Sequence, residues 1–211
     1  MFIRWRSAAC AAALAAAFLA PGLAQAQLGG LVGGLLGSAS DPQSAVIGQA
    51  AAVRATVLGI TTSLADSGTL SDPSQPVGTG QTLGSIPGLV SAESLHSAAM
   101  GWTDQVASQA SLSNLALMVA GTGISADYIQ STAQAVSGAA ASGVTAIEGL
   151  MIGGVAVTAT GIPNQLISLP GLSVILNEQT QTASGIVVNA LRVRTLDGLT
   201  NIVVGSAQAG I

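Results

Sequence analysis

Hydrophobic patterning is clearest in the last third of the chain, where short apolar runs alternate with turn signals. Leu150-Met151-Ile152 and Val155-Ala156-Val157 flank Gly153-Gly154, a two-residue hairpin turn of the kind that needs positive φ. Leu166-Ile167-Ser168-Leu169 and Leu172-Ser173-Val174-Ile175-Leu176 flank Pro170-Gly171. That pair suits a type II turn, in which proline fixes φ and glycine supplies the left-handed residue. Val187 to Thr195 and Ile202 to Ser206 flank Leu196-Asp197-Gly198-Leu199, where Asp-Gly is a strong hairpin signal. Three hairpins in about sixty residues predict an antiparallel meander, and hence an all-β sandwich or barrel.

Upstream the pattern is less decisive. Ala45 to Thr61 (AVIGQAAAVRATVLGIT) is rich in Val and Ala and fits a strand, but its alanines suit a helix nearly as well. Asp72-Pro73 and Gln75-Pro76-Val77-Gly78-Thr79-Gly80 mark a long loop. Ser91 to Met100 and Ile124 to Val136, within Leu89 to Gly138, read either as alanine-rich helices or as polar strands with small side chains. Gln27 to Ser44 mixes Gly with Leu, ends in a Ser-Asp-Pro cluster, and is expected to be a flexible lead-in.

The first 26 residues follow a different logic. Arg4 and Arg6 form a short positive region, an alanine-rich apolar run extends from Ser7 to about Ala20, and Pro21-Gly22 breaks it. Ala24-Gln25-Ala26 then places small residues where a signal peptidase reads them, which predicts a secretory signal peptide over residues 1–26, cleaved before Gln27. The run is shorter than the roughly 20 residues of a membrane span, so no transmembrane segment is expected after cleavage. Export by the Sec route to the periplasm, cell surface or medium follows. Cys10, the only cysteine, lies inside the signal without the leucine three residues earlier that a lipoprotein anchor needs. The mature chain therefore has no disulfide framework.

Charge narrows the partners. Removing residues 1–26 leaves three arginines, no lysine and all nine acids, a net charge of −6. Affinity for phosphates is built largely from Lys and Arg, so a nucleic-acid partner is excluded, and anionic membrane surfaces are disfavoured. Charged residues are 7% and aromatics 2% of the chain, so solubility rests on hydroxyls, amides and backbone. With apolar residues near half the chain, wholesale disorder is not expected.

Little in the sequence speaks for catalysis. Gly78, Gly80 and Gly84 have the wrong spacing for a phosphate loop, and no Lys follows them. His96 is the sole histidine and no G-x-S-x-G elbow accompanies it, which argues against a Ser-His-Asp hydrolase. One His and no Cys fall short of a zinc site, and Asp66 and Asp72 lack the alternating spacing of a calcium loop. No cofactor or metal is implied. Carboxylate-pair glycosidase chemistry stays open, since its partners can be distant in sequence, but few aromatics are present to stack on sugars. Trp102 and Tyr128 can be read as a binding platform or, preferably, as core anchors.

Asn177, Glu178, Asn189, Arg192 and Arg194 form the polar constellation of most interest. Strict alternation places Glu178 on the face of Leu172, Val174 and Leu176, and Asn189 on the face of Val187, Leu191 and Val193. Polar groups facing a core must be satisfied. The constellation is accordingly expected to be structural rather than ligand-binding, with Asn189 bonded to backbone and Glu178 paired with an arginine.

Leu169-Pro170-Gly171, Leu176-Asn177-Glu178-Gln179 and Val188-Asn189-Ala190-Leu191, preceded by the Gly153-Gly154 hairpin, resemble the motifs of the choice-of-anchor P family of bacterial exported proteins. The likeness runs from about Val46 to Gly210. It implies a surface or secreted β-rich domain without known enzymatic activity, and tips the 89–138 region toward strands. The sequence departs from the family pattern in showing no LPxTG signal, so Leu169-Pro170-Gly171-Leu172 is read as internal strand and turn. The expected fold is all-β, an antiparallel jelly-roll-like sandwich over 45–211 with a C-terminal hairpin meander, with a β-solenoid as the alternative. The expected role is non-catalytic, structural or adhesive, with self-association possible, and binding of a carbohydrate or small ligand is the alternative.

Overall fold

Thirteen antiparallel strands account for most of residues 46–211, the part of the chain that the computed structural model describes. The segments read as signal peptide (1–26) and lead-in (27–44) lie outside the described residues. In chain order the strands are β1 (Ile47–Val57), β2 (Ile60–Thr69), β3 (Val77–Ile86), β4 (Val90–Gly101), β5 (Gln105–Val119), β6 (Thr122–Val136) and β7 (Ser142–Glu148). There follow β8 (Met151–Ile152), β9 (Val155–Ala156), β10 (Gln165–Leu169), β11 (Leu172–Thr182), β12 (Gly185–Thr195) and β13 (Thr200–Gly210).

They form two sheets of a sandwich. Sheet I runs β10-β11-β12-β13-β1-β2, and sheet II runs β3-β4-β5-β6-β8-β9 with β7 also paired to β6. The connectivity is simpler than that of a jelly roll, because most neighbours within a sheet are also neighbours in sequence. In sheet I the one exception is β13 beside β1, which sets the end of the described chain against its start in register Ile47↔Gly210.

The turn chemistry at the C-terminal end is as expected. Gly153 and Gly154 have φ of 57° and 80°, Gly171 79° and Gly198 74°. The Gly153-Gly154 hairpin, however, belongs to sheet II, and the meander proper is β10 to β13. The helical alternative for 45–61 and 89–138 falls away, because both regions are strands. Two further expectations are corrected. The 45–61 stretch is two strands joined by a turn in which Leu58 itself is left-handed (φ 51°). The loop marked over 72–80 ends at Pro76, because Val77 to Gly80 pair with His96 to Ala99 in β4.

A transverse crease organises the core. In sheet I, Asn177 (φ 51°), Gly205 (φ 61°) and Ala65 (φ 45°) are left-handed residues inside β11, β13 and β2. Each is skipped in the ladder, together with Ala190 and Ala52 opposite them. Sheet II has Ser94 and Asn114 (each φ 48°) inside β4 and β5. At such bulges the inward-facing parity switches. In β12 the inward residues are Ile186, Val188 and Ala190 on one side but Leu191 and Val193 on the other. In β5 they are Val106, Ser108, Ala110 and Leu112, then Leu115, Leu117 and Val119.

On one side of the crease the core is Leu, Ile and Val, including Leu115, Leu117, Ile124, Leu172, Val174, Leu191, Val193 and Ile202. On the other it is mostly small: Ala99, Ala133, Ala135, Ala207 and Ala209 with Leu70, Val106, Ile186 and Val188. Small side chains allow close approach. Cα atoms of β13 come within 8 Å of those of β5 and β6, inside the ~10 Å usual between packed sheets. A Cβ on Gly205 would lie 3.1 Å from both Ala190 Cβ and Ile129 Cγ2. Ser97, Ser108 and Ser131 are buried on the inner face of sheet II, and their hydroxyls have no hydrogen-bond partner among the described residues.

Candidate functional site

The crease decides where the predicted polar constellation faces. Left-handed Asn177 reverses the alternation of β11, so Glu178 leaves the face of Leu172, Val174 and Leu176 and lies with Arg192 on the outside of sheet I. Glu178 and Asn189 are direct cross-strand partners, and Arg192 follows one outward position along β12. Arg192 Nη1 donates to Glu178 Oε1 and Oε2 at 2.8 and 3.1 Å, and its Nε donates to Asn201 Oδ1 at 2.9 Å. Asn189 Nδ2 donates to Glu178 Oε2 at 2.6 Å. The expected pairing of Glu178 with an arginine is therefore present. The expected backbone partner of Asn189 is replaced by the carboxylate, because both side chains point outward rather than into the core.

Two members of the constellation stand apart. Asn177 donates to Gly161 O at 2.8 Å and accepts from Gln179 Nε2 at 2.9 Å, tying β11 to the segment before β10. Arg194 is exposed, opposite Ser173 and Asn201, without an acidic partner among the described residues.

A second acid–arginine pair mirrors the first across β13. Arg192 and Arg54 both lie opposite Val203, from β12 and β1 respectively. Asp66 follows left-handed Ala65 as Glu178 follows left-handed Asn177. Arg54 Nε donates to Asp66 Oδ2 at 3.2 Å and Gln49 Nε2 donates to Oδ1 at 3.2 Å. Arg54 Nη2 lies 3.1 Å from Asp66 Oδ2 but without hydrogen-bond geometry, so this contact is an ion pair only. Burial opposes ionisation of Asp66, yet the Gly68 N–H, the Arg54 charge and the Gln49 amide outweigh it and hold the carboxyl below its ordinary value. Both clusters join side chains of neighbouring strands, which makes them cross-braces.

The remaining candidates are scattered. His96 is exposed on the outer face of sheet II, its imidazole over Gly80 and its backbone opposite Ser111. Tyr128 is half-buried on β6 and donates to Gln130 Oε1 at 3.0 Å. Asp66 and Asp72 lie on different elements, and among the described residues no group of three or more His, Cys, Asp or Glu is placed to hold a metal ion.

Trp102, like Glu178 and Asn189, lies away from where the sequence pattern puts it. Instead of anchoring the core it is 42% exposed, in the turn between β4 and β5. Its N–H donates to Gln105 O at 2.7 Å, which closes that turn. The neighbouring β2–β3 loop folds against it, because Gly101 lets Pro73 approach: a Cβ there would lie 2.9 Å from Pro73 Cα. Asp72 accepts from the Ser74 hydroxyl at 2.7 Å and the Ser74 N–H at 2.8 Å, which fixes the loop and holds its carboxyl below the ordinary value. The result is an open cleft of about 650 Å³ walled by Asp72, Pro73, Ser74, Trp102, Thr103 and Asp104. Two features of the sequence foreshadow it: a Trp-Thr-Asp turn and an Asp-Pro-Ser loop, each too short to be read alone as a site.

Comparison with protein-family models, with curated proteins and with solved structures returns no match for this chain.

Proposed function

We propose that the chain is a non-catalytic, exported structural or adhesive domain of the cell surface or envelope, which associates with other copies through the β3 edge of sheet II. The observation that carries the reading is that edge. β3 is ten residues long, pairs with β4 alone among the described residues, and contains no charged residue and no proline. Long uncharged edges template pairing with another chain, and natural proteins that avoid this place charge, proline or bulges there. Leu83 stands 71% exposed near the middle of β3. Export rests on the signal-peptide pattern of residues 1–26, and the surface role on the motif resemblance.

Molar mass measured by light scattering across a wide concentration range tests the reading. The expected result is growth with concentration in the wild type and its loss in Leu83→Lys, which places a charge on the edge. A wild-type chain that stays monomeric at every concentration contradicts it.

A further inference from the structure

We propose that the Trp102 cleft binds a neutral sugar, with the indole stacked on the apolar face of a pyranose ring and Asp104, Thr103 and Asp72 bonding its hydroxyls. Past residue 26 the chain has two aromatic residues, Trp102 and Tyr128, and the larger is left 42% exposed beside a concavity. Leaving a large apolar ring in water forgoes burial energy, and an amphipathic indole of this kind is the usual contact surface for a ligand with one apolar side.

The polar walls suit a polyol. Sugar hydroxyls need acceptors, and the carboxylate of Asp104 and the hydroxyl of Thr103 make no hydrogen bond to the described chain. Asp72 keeps acceptor capacity on Oδ2, whose one partner is a long contact to Gln75 Nε2 at 3.4 Å. Two carboxylates without a cation reject phosphorylated, sulfated or carboxylated ligands. An organic cation is the rival occupant. In an open cleft, however, its charge stays hydrated, and its attraction to the ring is then small.

The site is also pre-formed. The Gly101–Pro73 contact, the Ser74 hydrogen bonds to Asp72 and the Trp102–Gln105 turn fix the relative placement of both walls before any ligand arrives. Rigid walls lower the ordering cost of binding, which matters most for weak, polar ligands. This inference does not depend on association through β3.

The test is tryptophan fluorescence and titration calorimetry on the full chain with neutral oligosaccharides of glucose, mannose and N-acetylglucosamine. A saturable spectral shift with at least one of them is expected. Trp102→Ala should leave the circular dichroism spectrum and thermal midpoint unchanged and weaken binding at least about tenfold. Asp104→Asn should weaken it several-fold. No saturable response to any of these sugars overturns the proposal, as does binding that survives Trp102→Ala in a folded protein. A response to choline that added salt erodes, with none to the sugars, overturns it in favour of an organic cation.

Discussion

The outer faces of the two sheets are built on opposite principles. Sheet I carries all three arginines of the described residues, and two of them are tied to acids on either side of β13. Sheet II carries Glu93, Asp127 and Glu148, all exposed, and no arginine. Its long strands present Ser, Thr, Gln, Ala and Gly, and it ends in the uncharged β3. Ion pairs on sheet I lock neighbouring strands to each other, whereas sheet II is held by its backbone ladder and by side-chain bonds without an arginine, such as Asn114 Nδ2 to Glu93 Oε2 at 2.7 Å between β5 and β4. The difference sets cross-braces on one side against an uncharged edge strand, the surface proposed for association, on the other.

The comparison can be broken or sharpened in order of expected effect. Glu178→Ala removes the acceptor of both Arg192 and Asn189 and leaves a part-buried guanidinium uncompensated, at a cost of about 2–3 kcal/mol. Denaturant unfolding should show that loss while light scattering shows association unchanged. Equal loss of both would mean the two faces are not separable.

Ser131→Ala on the inner side of sheet II should be neutral or stabilising by up to about 1 kcal/mol, because it deletes a buried hydroxyl without a partner. A clear destabilisation would show that the hydroxyl is satisfied in solution.

The smallest effect concerns acid. The carboxyl of Asp66 ionises below its ordinary 3.8 when folded, so its contribution is present above that pH and lost as pH falls through the folded value. Asp66→Asn should flatten the acid limb of a stability–pH profile only in part, because Asp72 and Asp197 are lowered in the same direction. A mutant profile identical to the wild type would remove Asp66 from the bracing scheme.

What the sequence reveals of this fold depends on how local each signal is. Gly153-Gly154, Pro170-Gly171 and Asp197-Gly198 are legible because turn geometry is written in two adjacent residues. The strands β4, β5 and β6 are not, because each switches inward parity midway. Leu112 and Leu115 are both buried, yet no period of two joins them. The same switch hides the facing of the site. The partnership of Glu178 with Arg192 is readable, but its placement on the outer face depends on Asn177 being left-handed inside a strand, which asparagine permits without requiring. Leu58 conceals the β1–β2 turn in the same way, being left-handed where glycine or asparagine is usual. From the sequence Trp102 reads as a core anchor in preference to a binding platform. Its exposure follows from the fit of Pro73 onto Gly101, a long-range contact.

Hydrogen exchange across a concentration series tests the central claim most directly. The account predicts that amides of Val77–Ile86 pointing away from β4 gain protection as the chain concentrates, while the sheet I edge strand β2 does not. Protection that rises elsewhere and leaves Val77–Ile86 unchanged would contradict association through this edge.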